Sequence, residues 1–287
     1  SVISGSLTVG MIIAFIAYKN QLTQRMTNFI NQIVEFRMLK LHLHRISDIA
    51  LHPQESHRDG SLSSIEWKGK IALENVSFRY NAEQPYVIKN LSLTVYAGES
   101  VAITGSSGCG KTTLMKIMLG LLRPTSGRVL LDGQDISQIG LTNYRKQISA
   151  VMQEDTLLSG SILDNISFFN PQVDFERVKR CAIQANINEE IMQMPLNYQS
   201  MVGDMGTTIS GGQKQRILLA RALYSQPKVL FLDEATSHLD STNEFSVNQH
   251  IKKLAITRIV VAHRKETIKA VDREIQLEQI MGSMNNN

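Results

Sequence analysis

Two short stretches of this sequence carry the residue types needed to hold a phosphate chain and attack it. The first is Gly105-Ser106-Ser107-Gly108-Cys109-Gly110-Lys111-Thr112-Thr113, set between the apolar run Ser100–Thr104 and a segment that reads as a helix from Leu114 to Leu122. Glycine, four residues, then Gly-Lys-Thr is the phosphate-loop pattern. Small residues let successive backbone N–H groups turn inward around phosphate oxygens, and the helix N-terminus adds free N–H groups and its dipole. In that scheme Lys111 reaches the β- and γ-phosphates and the Thr112 hydroxyl holds Mg²⁺. The second stretch is Val229-Leu230-Phe231-Leu232-Asp233-Glu234, four apolar residues ending in two carboxylates. A buried strand of this kind delivers Asp233 to a metal, with Glu234 beside it to polarise water, a role worth roughly 10²–10⁴-fold in rate. A third stretch, Ile209-Ser210-Gly211-Gly212-Gln213, precedes the apolar helix Arg216–Tyr224 and offers a second anion-binding surface at a helix start.

These groups need a scaffold that brings distant segments together. From Ile71 onward the pattern is strand-like: Val76, Phe78 and Tyr80 alternate, and Val87–Tyr96 follows after a turn. Arg128–Leu131 closes on Asp132-Gly133, and Ile148–Met152 is a short apolar strand. Ser161–Tyr224 reads as mostly helical, interrupted at Pro171, Pro195 and a Gly-rich segment. Val229–Leu232 and Ile259–Ala262 are continuous apolar runs of the kind found in buried parallel strands. Strands alternating with helices imply an α/β sheet.

The 287 residues, 43% hydrophobic and 20% charged, suit a globular chain of one large or two smaller domains. A net charge of +4 does not by itself point to a nucleic acid partner. Cys109 and Cys181 do not form a disulfide framework.

Residues 1–18 carry no charge and approach the roughly 20 apolar residues of a membrane span, although a buried soluble helix fits them too. Over Asn20–Ala50, Leu22, Met26, Phe29, Ile33 and Phe36 recur at three- and four-residue steps among charged residues. A long helix that leaves a membrane and continues into water has this appearance, and the positive residues after residue 18 favour a cytoplasmic exit. The helix is expected to stop near His52, before Pro53. The breaker-rich stretch His52–Ser64 reads as linker, and the histidines at 42, 44, 52 and 57 belong to a solvated helix end and linker better than to a metal cluster. The expected organisation is 1–51 as the end of a transmembrane domain, 52–70 as linker and 71–287 as a nucleotide-binding domain, with a helical subdomain at about 156–226. The start at Ser1 without Met or a signal peptide reads as a fragment of something longer.

With these motifs in order, the sequence resembles the ATP-binding cassette (ABC) family, whose signature is Leu-Ser-Gly-Gly-Gln; Ile209 replaces the leading Leu, and Lys214-Gln215-Arg216 continues the match. The resemblance implies a P-loop NTPase fold with a β subdomain and a helical subdomain. It implies further roles: Tyr80 stacking on adenine, Gln153 reaching the metal and the membrane domain, and His263 contacting the γ-phosphate. Ser237-His238-Leu239-Asp240 is similar to the family's D-loop, with His238 where Ala is usual. Thr156–Ile166 together with Val202-Gly203-Asp204-Met205-Gly206 resembles the exporter subclass, and residues 7–51 resemble the last transmembrane helix of bacteriocin (colicin V-like) peptide exporters.

That family relationship implies ATP and Mg²⁺ as cofactors, with Mg²⁺ held through Thr112, Gln153 and Asp233. Glu234 and His263 are the implied catalytic residues. Ser210, Gly211, Gly212 and Gln213 would close the ATP site of a partner in a head-to-tail homodimer. A bacterial inner-membrane location follows, with the ATPase domain on the cytoplasmic side, a peptide substrate, a periplasmic adaptor, an outer-membrane channel and no nucleic acid. Relatives of this type carry an N-terminal cysteine peptidase, absent from these residues. The alternatives are an exporter of a larger protein toxin, a lipid or a drug, a soluble ATPase of the same fold, and a non-catalytic nucleotide-binding module.

Overall fold

The computed structural model describes residues 8–51, 55, 57, 60, 66–203, 209–233, 241–262 and 264–283. The chain divides into two units, residues 1–56 and 57–287.

The first unit is a single helix, α1 (Val9–Ala50), whose N-terminus is capped by the Thr8 hydroxyl accepting the Met11 N–H at 3.2 Å. It ends one residue before Leu51, close to the expected stop at His52. Leu22, Met26, Phe29, Ile33 and Phe36, the residues of the expected stripe, lie on one continuous helix. Ile13, Phe15, Leu22, Phe29, Phe36 and Ile49 are all exposed, and no residue of α1 is buried. The exposed apolar side chains of α1 offer surface for a bundle or for lipid to cover. Among the described residues no helix is long and apolar enough to cross a membrane. Of the uncharged stretch 1–18, residues 1–7 lie outside the described residues.

The second unit begins with an antiparallel sheet made from β1 (Ile71–Phe78), β2 (Ile88–Val95), β4 (Ser126–Leu131) and β5 (Gln134–Asp135), in the order β2-β1-β4-β5. The chain is tied to it before β1: Trp67 is buried, and the Asp132 carboxylate accepts the N–H groups of Lys68, Gly69 and Lys70 at 2.7, 3.1 and 2.8 Å. The second sheet is parallel. It contains β3 (Ser100–Thr104), β6 (Ile148–Val151), β9 (Val229–Asp233), β10 (Thr257–Val261) and β11 (Arg273–Gln276), in the order β11-β3-β10-β9-β6. Every residue of β3, β9 and β10 is buried, as their unbroken apolar runs require of strands covered on both faces.

The two faces of that sheet feed two different cores. Val101, Ile103, Val229, Phe231, Ile259 and Val261 point to one side, where they pack with the antiparallel sheet and α2 (Lys111–Met118). Ala102, Leu230, Leu232 and Val260 point to the other. There they meet α5 (Ile162–Ser167), α6 (Phe175–Gln184) and α8 (Gly211–Tyr224), the helical part of the chain. The period of two along each strand produces this division. Short elements complete the unit: α3 (Ile136–Ile139), α4 (Leu141–Arg145), β7 (Gly160–Ser161) paired with β8 (Met201–Val202), α7 (Asn188–Gln193), α9 (Ser241–Lys252), α10 (Lys265–Lys269) and α11 (Leu277–Ser283).

Two differences from expectation have local causes. Helix α2 stops at Met118 rather than Leu122, because Gly120 takes φ +66° and the Leu121 N–H returns to the Lys116 carbonyl at 2.9 Å. Strand β11 lacks an apolar run: only Ile275 is buried in Arg-Glu-Ile-Gln, as suits an edge strand.

Candidate nucleotide site

The expected phosphate loop joins β3 to α2. Gly110 is the N-cap residue of α2 at φ +104°, a left-handed conformation that L side chains resist, and a Cβ there would come within 3.1 Å of Val87 Cγ1. Gly108 also has positive φ, at +83°. Glycine therefore lets the loop take backbone conformations at these two positions that other residues resist. Lys111 is 7% exposed, and its ammonium donates to the carbonyls of Gly105 and Ser106 at 2.9 and 2.8 Å. The lysine folds back across the loop and holds its charge over the concavity.

Strand β9 lies beside β10, which lies beside β3, so residues from opposite ends of the domain meet at the C-terminal edge of one sheet. The Thr112 hydroxyl donates to Asp233 Oδ2 at 3.1 Å, and Asp233 is 2% exposed. A cavity of about 350 Å³ opens over this contact, lined by Tyr80, Ser107, Gly108, Gly110, Lys111, Thr112, Thr113, Gln153 and Asp233, with Val87 and Val261. The oxygen donors of Thr112, Asp233 and Gln153 suit a small hard cation such as Mg²⁺. The loop N–H groups and Lys111 suit a polyphosphate. Tyr80 lies just past the end of β1, half exposed, its ring edge-on to Phe78 at 5.0 Å and its hydroxyl 3.0 Å from Thr113 Oγ1. It lines the cavity with much of its ring exposed.

Ser210, Gly211, Gly212 and Gln213 do not line this cavity. They form the start of α8 instead. The Ser210 side chain accepts the Gln213 N–H at 3.2 Å, while Gln213 Oε1 accepts the Ser210 N–H at 3.0 Å, a reciprocal capping box. Glu234, His263, Ser237–Asp240 and Asp204–Gly206 lie outside the described residues.

One contact at the loop was not signalled by any motif. Glu278, on α11, accepts from both the N–H and the hydroxyl of Ser106, and these bonds hold its carboxyl below the usual carboxylate range. Its partner is 172 positions away in the chain. An acidic residue after a polar edge strand carries no local mark of such a role.

The ABC transporter family model matches residues 88–237. The chain is 46% identical over 278 residues to the colicin V secretion/processing ATP-binding protein CvaB of Escherichia coli, covering 96% of this chain and 40% of that protein. It is 37% identical over 280 residues to the alpha-hemolysin translocation ATP-binding protein HlyB of Escherichia coli, covering 97% of this chain and 40% of that protein. Among solved structures, a bacterial Atm1-family ABC exporter with ATP bound superimposes with a TM-score of 0.75 at 29% identity, over 94% of this chain and 48% of that one. The chain belongs to the ABC transporter family and carries its ATP-binding domain. It spans about 40% of the length of the curated relatives it matches.

Proposed function

We propose that this chain is the ATP-hydrolysing C-terminal part of a bacterial ABC exporter that moves a bacteriocin- or microcin-like peptide across the inner membrane. The observation that carries the ATPase reading is the meeting of Thr112 and Asp233 under a cavity that also contains Lys111, Gln153 and Tyr80. The export reading is supported by the secretion function in the name of CvaB.

In this reading ATP lies along Gly105–Thr113 with its base against Tyr80. Lys111 exchanges its bonds to the Gly105 and Ser106 carbonyls for bonds to phosphate oxygens. Mg²⁺ would be held by Thr112, Gln153 and Asp233, and would neutralise charge that develops on the phosphates. Glu234 takes a proton from the attacking water, and His263 steadies the γ-phosphate. Ser210–Gln213 of a second copy closes the site head to tail. Closure and reopening pull on the membrane helices through the Gln153 region. Residues 1–51 are the end of the last transmembrane helix and its cytoplasmic extension, which accounts for a helix with no buried residue. The parent is placed in the inner membrane with residues 71–287 in the cytoplasm, and works with a periplasmic adaptor and an outer-membrane channel. Processing, the other half of the CvaB name, is assigned to no residue of this chain.

A larger protein toxin is the second reading of the substrate, favoured by the 37% identity to the hemolysin translocation protein. The test of the ATPase reading is phosphate release from ATP by the purified chain with Mg²⁺, beside Lys111→Ala. Hydrolysis by the first and loss of both affinity and turnover in the second are expected. Equal turnover in the two would overturn the assignment of the loop.

A further inference from the structure

The capping box at the start of α8 is braced from outside. Gln213 Oε1 is taken by the Ser210 N–H, and its amide nitrogen donates to Glu190 Oε2 on α7 at 2.9 Å. The same carboxylate receives two bonds from Arg216, Nη1 to Oε1 at 2.6 Å and Nη2 to Oε2 at 3.0 Å. Arg216 is 4% exposed. Its remaining bonds go to backbone and to α9: Nε to the Gly212 carbonyl at 3.3 Å, and Nη1 to the Asn186 carbonyl at 2.6 Å and to Asn243 Oδ1 at 3.4 Å. Asn186 Nδ2 in turn donates to Asn243 Oδ1 at 2.9 Å.

Among the described residues, Glu190 is thus the carboxylate partner of a buried guanidinium that also bonds the Gly212 carbonyl, and it orients the Gln213 side chain directly. Gly212 and Gln213 both belong to the segment expected to meet ATP. Without the carboxylate, Arg216 would be a buried charge lacking its anion, and it would be drawn to other acceptors or to water. The Gln213 amide would lose its outer anchor and be free to leave the capping box. The N–H groups of Gly211 and Gly212 would then no longer be held in one direction.

We propose that Glu190 is a positioning residue of the ATPase reaction: it fixes Gln213 directly, and Gly212 through Arg216, so that Ser210–Gln213 is set to receive an ATP carried by a second copy. The inference rests on the head-to-tail reading above. It also ties α7 and α9 to the start of α8, since Glu190 of α7 and Asn243 of α9 share the same arginine.

The test compares Glu190→Gln with Glu189→Gln, the same change one position earlier on α7 and outside this network, using the 287-residue chain. Three quantities are measured: ATP affinity, turnover with Mg²⁺, and ATP-driven pairing of copies by gel filtration in a Glu234→Gln background. For Glu190→Gln, ATP affinity should remain near that of the parent chain, while the melting temperature falls because buried Arg216 loses its anion. Turnover should fall by about tenfold or more, the rate equivalent of one charge-assisted hydrogen bond, and pairing should weaken with it. Glu189→Gln should behave as the parent chain. Unchanged turnover and pairing in Glu190→Gln would overturn the proposal. So would a fall in ATP affinity that matches the fall in turnover, which would make Glu190 a structural residue only. If the parent chain pairs with ATP but does not hydrolyse it, the ATPase reading fails while the pairing measurement still decides the role of Glu190. A chain that neither hydrolyses nor pairs would sink both.

Discussion

Thr112 and Asp233 are separated by 121 positions in the chain, yet the hydroxyl of one donates to the carboxylate of the other at 3.1 Å. The bond joins the first turn of α2 to the end of β9, so the loop side and the β9 side of the cavity are held in register by side chains as well as by the sheet. Thr112→Val keeps the shape and removes the hydroxyl. Mg²⁺-dependent turnover should fall by tenfold or more, as for loss of a hydrogen bond to a charged group. ATP affinity measured in EDTA should change much less. A variant whose loss is the same with and without Mg²⁺ would show that Thr112 acts on the loop and not on the cation.

Glu234 follows Asp233 directly in the sequence. Replacing it by Gln removes the carboxylate proposed as the base with little change in size. ATP binding should persist while hydrolysis drops by ~10²-fold or more. Gel filtration with ATP should then show a trapped dimer. Normal turnover in Glu234→Gln would place the base on another residue.

Shared sites make a prediction that separate sites cannot. Gly211→Asp puts a carboxylate where a γ-phosphate must approach, and like charges there repel. Mixing a Lys111→Ala chain with a Gly211→Asp chain leaves one head-to-tail site with both defects and the other with none. The mixed dimer should occlude one ATP, on the loop of the Gly211→Asp chain. No occlusion, with folding and pairing verified, would count against the head-to-tail arrangement.

The two cysteines should differ in reactivity. Cys181 is buried, and desolvation pushes its thiol up to about 11, despite nearby Arg180 and Arg177, which act in the opposite direction. Cys109 is partly exposed within the loop. Only thiolate reacts, so at pH 8 one equivalent of maleimide should label Cys109 first, and ATP should slow that labelling. Rapid labelling of Cys181 in the folded chain, read by peptide mass, would contradict its burial.

How much of this was legible in the sequence depended on whether the relevant residues are adjacent in the chain. The loop residues Gly105–Thr113 are contiguous, and β9 and β10 show as apolar runs because both of their faces are covered. The chain neighbours of Asp233 and Lys111 therefore marked them. By contrast, the bonds of Glu278 to Ser106 and of Glu190 to Arg216 depend on strand order and on how helices lie against each other. Neither leaves a periodic trace. The fate of Tyr80 was half legible: an aromatic near the loop was expected, but its hydroxyl bond to Thr113 follows from the turn after Phe78. The three- and four-residue steps from Leu22 to Phe36 marked α1, which is helical from Val9 to Ala50.

Strands β6 and β9 are immediate neighbours in the parallel sheet, although the whole helical part of the domain lies between them in the chain. The chain leaves the sheet after Val151 and re-enters at Val229, one strand over, a lateral step of about 4.8 Å. The helical lobe is in this sense a removable cartridge, with entry and exit clamped side by side. Its length and contents can change through insertion or exchange without altering the order of the strands beneath. A lobe transplanted from a relative at these two points should seat on an intact sheet, and what it must bring with it is a matching apolar face for Ala102, Leu230, Leu232 and Val260.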